Sequence, residues 1–358
     1  MSLEHWGWNE ELRRQFASRA AAGLQAGRVV TQSHSLYQVV AESDMNWSRL
    51  TGALRNRTRG ASEFPAVGDW VVVDSGDSSV WLICGLLKRK SAFARKAAGR
   101  TTEAQIIAAN IDFLFIVNGL DGGRNFNLRG LERYTTCGWE SGATPVIVLN
   151  KADLCPDPQD AVRRAQAVAP GVDVHATSCR TREGLTALDR YLQFGKTVAL
   201  VGRSGVGKST IVNTLLGEEG QTTQESRAGD LRGRHTTARR QLLPLPSGAV
   251  LMDTPGLREL QLWGDGGGLR DSFAEVQELA GECRFRDCTH QHEPGCALQR
   301  ALLAGSLARD RFESFIDFRR ELDYLRRKQD TRLRLKERAR GKAIAKFSRA
   351  RKNAPGKG

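Results

Sequence analysis

The chain has 358 residues, 40% of them hydrophobic, which suits two or three separately cored domains. It holds no run of 18 apolar residues, which excludes an ordinary membrane-spanning helix. The net charge of +14 is concentrated at one end: residues 326–358 carry 14 Lys+Arg against 2 Asp+Glu, and the rest of the chain is close to neutral. A block of like charge reads as an arm for a polyanion such as nucleic acid, or as a solvated helix without a partner.

Residues 1–26 form an N-terminal extension with one short polar helix and no evident function. Its opening stretch mixes acids and bases and has no apolar run of signal-peptide type, so the expected location is the cytoplasm. From residue 27 to 98 short strand-like runs, at 28–30, 35–40, 69–73 and 80–87, are separated by turn residues. That spacing predicts a small OB-like β-barrel. Arg55, Arg57, Arg59, Lys88, Arg89 and Lys90 punctuate it, with Trp47, Trp70 and Trp81 close by. Such residues bind RNA by stacking and phosphate contacts, or else the tryptophans are simply core.

Between 99 and 264 apolar runs of strand length alternate with helical segments. Strands are expected at 112–117, 145–149, 172–176, 197–201, 241–245 and 249–252, and helices at 128–137, 159–168, 185–192 and 209–216. This alternation predicts a mostly parallel sheet covered by helices on both faces, with ligands at the carboxyl ends of the strands.

The motifs fall at those ends. Gly202, Arg203, Ser204, Gly205, Val206, Gly207, Lys208 and Ser209 read G-x-x-x-x-G-K-[ST] directly after a strand, and Thr210 continues into a helix. Glycines let backbone N–H groups turn inward around a β-phosphate, Lys208 reaches the β and γ oxygens, and the Ser209 hydroxyl is a magnesium ligand. Asn150, Lys151, Ala152 and Asp153 end an earlier strand as N-K-x-D. A carboxylate there accepts from N1–H and the 2-amino group of guanine, which adenine lacks. The next strand ends at Ala176-Thr-Ser-Cys179, where Ser178 stands in a Ser-Ala-type loop and Cys179 replaces the usual small second residue. Asp253-Thr-Pro-Gly256 ends a further strand, with Asp253 toward magnesium and Gly256 sensing a γ-phosphate. A polar stretch, 221–240, contains Thr236 and Thr237, either of which suits the second magnesium position. We assign magnesium to Ser209, Thr237 and Asp253, bound together with GTP. Leu257 follows Gly256 where many GTPases carry a glutamine that orients the attacking water. Leucine cannot do this, and His235 is the local candidate for the catalytic role.

The guanine loops precede the phosphate loop, the reverse of the usual order, so the α/β P-loop GTPase domain is circularly permuted. Its new C-terminus falls just after the D-x-x-G segment, beside a subdomain at 265–325.

That subdomain holds Cys283, Cys288, His290 and Cys296 within 14 residues, with His292 a competing ligand by type. Three thiolates and one imidazole make a closed tetrahedral site for one structural zinc ion. The seven cysteines are an odd number, and the other four are scattered, which argues for reduced thiols rather than a secreted disulfide framework. Phe315, Phe318, Leu322 and Leu325 recur at helical spacing and predict a packing stripe. Residues 326–358 form the basic tail.

With these residues assembled, the sequence resembles the ribosome small subunit-dependent GTPase A family over nearly its whole length. The resemblance carries the motifs at 150–153, 202–210, 233–237 and 253–256, and selects His290 over His292 as the fourth metal ligand. It implies an OB-like barrel, a permuted GTPase domain and a helical zinc-binding subdomain. It implies hydrolysis of GTP to GDP stimulated by the small ribosomal subunit, and a role in that subunit's late maturation. The expected partners are the small subunit and its rRNA, with GTP and GDP, for a monomer that meets no membrane. Rival readings are a permuted GTPase of the large subunit and a zinc RNA-binding module whose nucleotide domain has lost catalysis.

Overall fold

A computed structural model describes residues 2–20, 23–33, 35–42, 44–58, 60–76, 79–96, 104–123, 125–217, 240–253, 267–291 and 293–329. Strands β1 (Leu24–Ser33), β2 (Leu36–Val40), β3 (Met45–Leu50), β4 (Trp70–Asp74) and β5 (Trp81–Leu86) form a closed barrel in the order β1-β2-β3-β5-β4, with β4 pairing back on β1. Closure leaves no row of unpaired backbone groups. The period-2 pattern sorts β4 cleanly: Val71 and Val73 face the barrel core with Val29, Val39, Trp81 and Ile83, while Trp70 and Val72 face outward into a second core. Trp70 and Trp81 are therefore packing residues, and Trp47 is half-buried.

The N-terminal extension has a packing role that its polarity hides. A 3-10 turn, Leu3–Trp6, precedes helix α1 (Glu10–Ala17), whose start Asn9 caps by accepting from Leu12 N–H at 3.0 Å. Leu3, Trp6 and Leu12 are buried, and Trp8 lies 5.0 Å from Trp70, ring to ring. Trp8, Leu12 and Phe16 recur every four residues, a short stripe that packs with Leu3 and Trp6 on the same core. A short helix α2 (Gly52–Arg57) follows β3, and β6 (Ala92–Lys96) pairs with β7 (Ala104–Ala109) beyond the barrel.

The nucleotide domain is built on β8 (Phe113–Gly119), β9 (Thr144–Asn150), β10 (Asp173–Ala176), β11 (Thr197–Val201), β12 (Gln241–Pro244) and β13 (Val250–Asp253). Their order is β10-β9-β8-β11-β13-β12, parallel except for the β12–β13 pair. Continuous apolar runs in β8 and β9 suit strands buried on both faces. Successive residues go to different cores: Leu114, Ile116, Ile147 and Leu149 to one, Phe115, Val117, Val146 and Val148 to the other. Helices α3 (Leu128–Ser141), α4 (Pro158–Val168) and α5 (Lys208–Leu216) connect them. The expected helix at 185–192 is a 3-10 segment, Leu185–Tyr191.

After the sheet come α6 (Gly267–Ser272), α7 (Ala274–Gly281), α8 (Ala297–Leu303) and α9 (Arg309–Gln329). Phe315, Phe318 and Leu322 of α9 are buried, and Phe273 sits 5.7 Å from each of the two phenylalanine rings. Among the described residues the barrel and nucleotide sheets join through the antiparallel pair Thr31 with Gln241, and the Thr31 hydroxyl donates to Arg240 O at 2.7 Å. Among the described residues, no helix is long and apolar enough to cross a membrane.

Candidate functional site: a phosphate loop framed by three strand ends

The loop 202–209 runs from the end of β11 into α5. Gly202 has φ 143° and Gly207 φ 95°, backbone that side chains rarely adopt. Space forbids a side chain as well: a Cβ at Gly202 would stand 2.2 Å from Val117 O, and one at Gly207 would stand 2.2 Å from Asn150 Nδ2. Val206 is fully buried and pins the loop, while Arg203, Ser204 and Gly205 are exposed. Lys208 Nζ donates to Gly202 O at 2.8 Å and Arg203 O at 2.5 Å, along the lip of the loop. No side-chain hydrogen bond caps α5, whose first turn has Ser209 half-buried and Thr210 exposed, and a helix N-terminus of this kind suits an anion. Asp253 ends β13, the strand paired beside β11.

Asn150 ties the loop 202–209 to the loops that follow β9 and β10. Its Nδ2 donates to Val206 O at 3.1 Å, and its Oδ1 accepts from Cys179 N–H at 3.4 Å. Ala152 N–H donates to Thr177 O at 3.0 Å, which joins the ends of β9 and β10. The Ser178 hydroxyl donates to Asp153 Oδ1 at 2.5 Å, and Arg180 Nε lies 2.8 Å from Asp153 Oδ2. The Ser178 hydrogen bond, helped by Arg180, holds the Asp153 carboxyl below the usual carboxylate range. Asp153 is thus an ionised acceptor at neutral pH.

A third strand end joins these two, and motif reading did not find it. The turn after β8 brings Asp121 Oδ2 to 2.6 Å from Lys151 Nζ, and Asn125 Nδ2 donates to the same carboxylate. Position at the carboxyl end of a parallel strand was the available signal. His235, Thr236, Thr237, Gly256 and Leu257, together with His292 and the tail beyond 329, lie outside the described residues.

A second constellation lies between α7 and α8. The ligand atoms of Cys283, Cys288, His290 and Cys296 all fall within 4.8 Å of one another. Cys283 Sγ is 3.5 Å from His290 Nδ1 and 4.0 Å from Cys296 Sγ, and Cys296 Sγ is 3.6 Å from the same nitrogen. Tetrahedral zinc with bonds of about 2.3 Å to sulfur needs ligand separations of about 3.5–3.8 Å, so this donor set could hold such an ion. Burial, with Arg319 adding to it, pushes the His290 imidazole down and keeps it neutral. His290 has φ 63°, and Gln299 Nε2 donates to its carbonyl at 2.7 Å. Glu293 braces the turn by accepting from the Thr289 hydroxyl, from Thr289 N–H at 2.9 Å and from Gln291 N–H at 3.0 Å, and these bonds, the hydroxyl's first, drop its carboxyl to about 2.

Comparison with known proteins gives one consistent result. The sequence profile of the RsgA GTPase family matches residues 86–263. The chain is 45% identical to the "small ribosomal subunit biogenesis GTPase RsgA 2" of Lactiplantibacillus plantarum, over 84% of each chain. It is 42% identical to the RsgA of Opitutus terrae, over 100% of each. Among solved structures it resembles YjeQ from Thermotoga maritima, at 25% identity and TM-score 0.63 over 84% of this chain and 98% of that one. The fold is shared also with YloQ, described as a circularly permuted GTPase, at TM-score 0.59 and 24% identity over 84% and 96%.

Proposed function

From the premise that the chain belongs to the RsgA GTPase family and hydrolyses GTP, we propose that it serves late maturation of the small ribosomal subunit, which stimulates its turnover. In this reading Asp153 and the loop at Ser178 recognise guanine, Lys151 lies over the base, Ala152 spaces the two, and 202–210 cradle the phosphates. Ser209, Asp253 and Thr237 would hold a magnesium ion, which adds positive charge beside the β and γ oxygens. Thr236 and Gly256 attend the γ-phosphate. Cys283, Cys288, His290 and Cys296 would hold one structural zinc ion. The tail from 326 adds electrostatic affinity for rRNA, and the domain limits follow 27–98, 99–264 and 265–325.

The observation that carries the reading is the destination of the chain beyond each switch segment. Chain leaving 218–239 passes through Arg240, whose carbonyl the barrel residue Thr31 holds, into β12. Chain leaving 254–266 enters α6, where Gly268 N–H donates to Glu140 Oε2 of α3 at 2.6 Å. Both appended domains are thereby joined to the chain that leaves the two segments read as γ-phosphate sensors, which suits stimulation of hydrolysis by a bound subunit. With leucine at 257, His235 is the residue that orients the attacking water in the subunit-bound state.

The test is steady-state GTP turnover by the full chain alone, with small subunits, and with large subunits. Small subunits alone should raise kcat; equal stimulation by both, or by neither, would overturn the proposal. His235→Ala should abolish most of the stimulated rate while subunit binding and GTP affinity stay near wild type. Lost subunit binding with intact residual turnover would make His235 a docking residue instead.

A further inference from the structure

The turn after β8 belongs to no nucleotide motif, and it touches two of them. Gly119 N–H donates to Asn125 O at 3.4 Å, and a Cβ at Gly119 would stand 3.5 Å from Val206 Cα, so the turn rests on the phosphate loop. Within it, Asn125 Nδ2 donates to both Asp121 oxygens, at 3.2 and 2.8 Å. That brace aims the carboxylate at Lys151, whose Nζ lies 2.6 Å from Asp121 Oδ2 and 2.6 Å from Gly205 O. The ion pair is largely shielded, with side-chain exposures of 29% for Lys151 and 18% for Asp121. Lys151 also has φ 63°, a left-handed backbone that fixes where its stem begins. The stem is thus held at both ends.

We propose that Asp121 is a positioning residue for nucleotide binding: braced by Asn125, it clamps the Lys151 ammonium across Gly205 O and presets the lysine stem over the guanine plane. The inference rests on reading 150–153 as the guanine loop. A free lysine stem loses rotamer freedom when a base stacks on it. A stem already clamped has lost that freedom before the base arrives, and preorganisation of this kind appears as affinity. The clamp also joins the guanine loop to Gly205, so base and phosphates meet one rigid frame. The carboxylate is bound to Lys151 first and to Asn125 second, which keeps it below the usual carboxylate range and ionised. Were its charge instead to repel the triphosphate, removing that charge would tighten binding. The two accounts predict opposite signs.

The experiment is calorimetric titration of GTP and GDP into the full chain without ribosomes, with turnover measured alongside. Asp121→Asn should weaken GTP and GDP by the same factor, roughly tenfold, and raise KM with kcat unchanged. In a Lys151→Met background the same substitution should change affinity by less than about twofold, because its target is gone. Asn125→Ala, which removes only the brace, should give a smaller loss of the same sign and serves if Asp121→Asn does not fold. Asp121→Glu should recover part of the loss. Wild-type affinity in both variants, tighter binding, or a loss fully additive with Lys151→Met would overturn the proposal. The underlying guanine reading has its own control: Asp153→Asn should shift preference toward xanthosine nucleotides. If the wild type binds ATP as well as GTP, that reading fails whatever Asp121 does.

Discussion

At the junction between barrel and nucleotide domain, Arg28 is 1% exposed, and among the described residues it donates to uncharged oxygens. These are Trp6 O, Gly68 O at 3.3 Å, Asn110 O at 3.2 Å and the Thr197 hydroxyl at 2.9 Å. At the opposite junction Arg311 meets two carboxylates, Glu132 and Glu275, the second at 2.7 Å, and the carbonyls of Ser272 and Val168. Each guanidinium also lies over a ring, Trp70 at 5.3 Å and Phe273 at 4.0 Å. Burial lowers Arg28 to about 10, opposed at longer range by Asp112 and Asp69, so it remains charged at neutral pH. Burial raises the Glu132 carboxyl in spite of Ser314 and Arg311. The barrel is therefore fastened by backbone geometry, and the C-terminal helices by charge. The second kind of fastening depends on every partner staying in place.

The largest way to separate the two junctions is through the Cys/His turn, which only the C-terminal side contains. Cys288→Ser should bring metal below one ion per chain and strip hydrogen-exchange protection from 283–303, while β1–β5 keep theirs. Structural zinc sites carry apparent binding energies on the order of 10 kcal/mol, which sets the scale. Unchanged protection after complete chelation would show that packing alone holds the turn.

Next in size is Arg311→Met, expected to cost about 3–5 kcal/mol at neutral pH because Glu132 stays buried without its cation. Since the folded pKa of Glu132 is raised, its contribution is fully present below the unfolded carboxylate pKa, about 4.3, and is lost as pH rises through the folded value. Losing Arg311 raises that value further. The variant should therefore be least impaired near about pH 4 and progressively weaker toward neutrality in urea melts. Glu132→Gln in the same chain should restore much of the loss.

Arg28→Met takes the guanidinium donor from two buried carbonyls, Trp6 O and Asn110 O, while Gly68 O keeps Asn110 Nδ2 at 3.0 Å, and should cost roughly 2–4 kcal/mol. Its pH dependence should be much shallower, because the two nearest carboxylates keep cations of their own: Asp69 pairs with Arg89 at 2.7 Å and Asp112 with Lys90 at 2.6 Å. A profile as steep as that of Arg311→Met would break the comparison. The smallest effect belongs to Thr31→Val, which removes one hydrogen bond to Arg240 O and should cost about 1 kcal/mol. Faster amide exchange in β12, with β9 and β10 unaffected, is the signature to look for.

Much of this was legible in the residues because the informative signals are local. The apolar runs of β8 and β9, the glycines at 202 and 207, N-K-x-D at 150–153 and the cysteines at 283, 288 and 296 each express their chemistry within a few positions. Their order alone determined the permutation. What sequence could not decide were contacts between distant segments. Arg28 sits in a short strand-like run and looks like a surface residue, yet its guanidinium reaches Thr197, 169 positions away. Asp121 lies outside every motif and acquires its partner only when β8 and β9 lie side by side. The N-terminal residues read as a polar helix and become a wedge because Trp6 and Leu12 find a face of the barrel to cover. The 3-10 form of Leu185–Tyr191 belongs with these, since Leu188 and Tyr191 pack into the nucleotide core. Spacing along the chain determined which groups can face a nucleotide or a metal, since neighbouring residues share one local backbone geometry. Which groups hold the domains together, and which hold Lys151, was settled only by tertiary packing, since burial and pairing depend on segments that no local pattern connects.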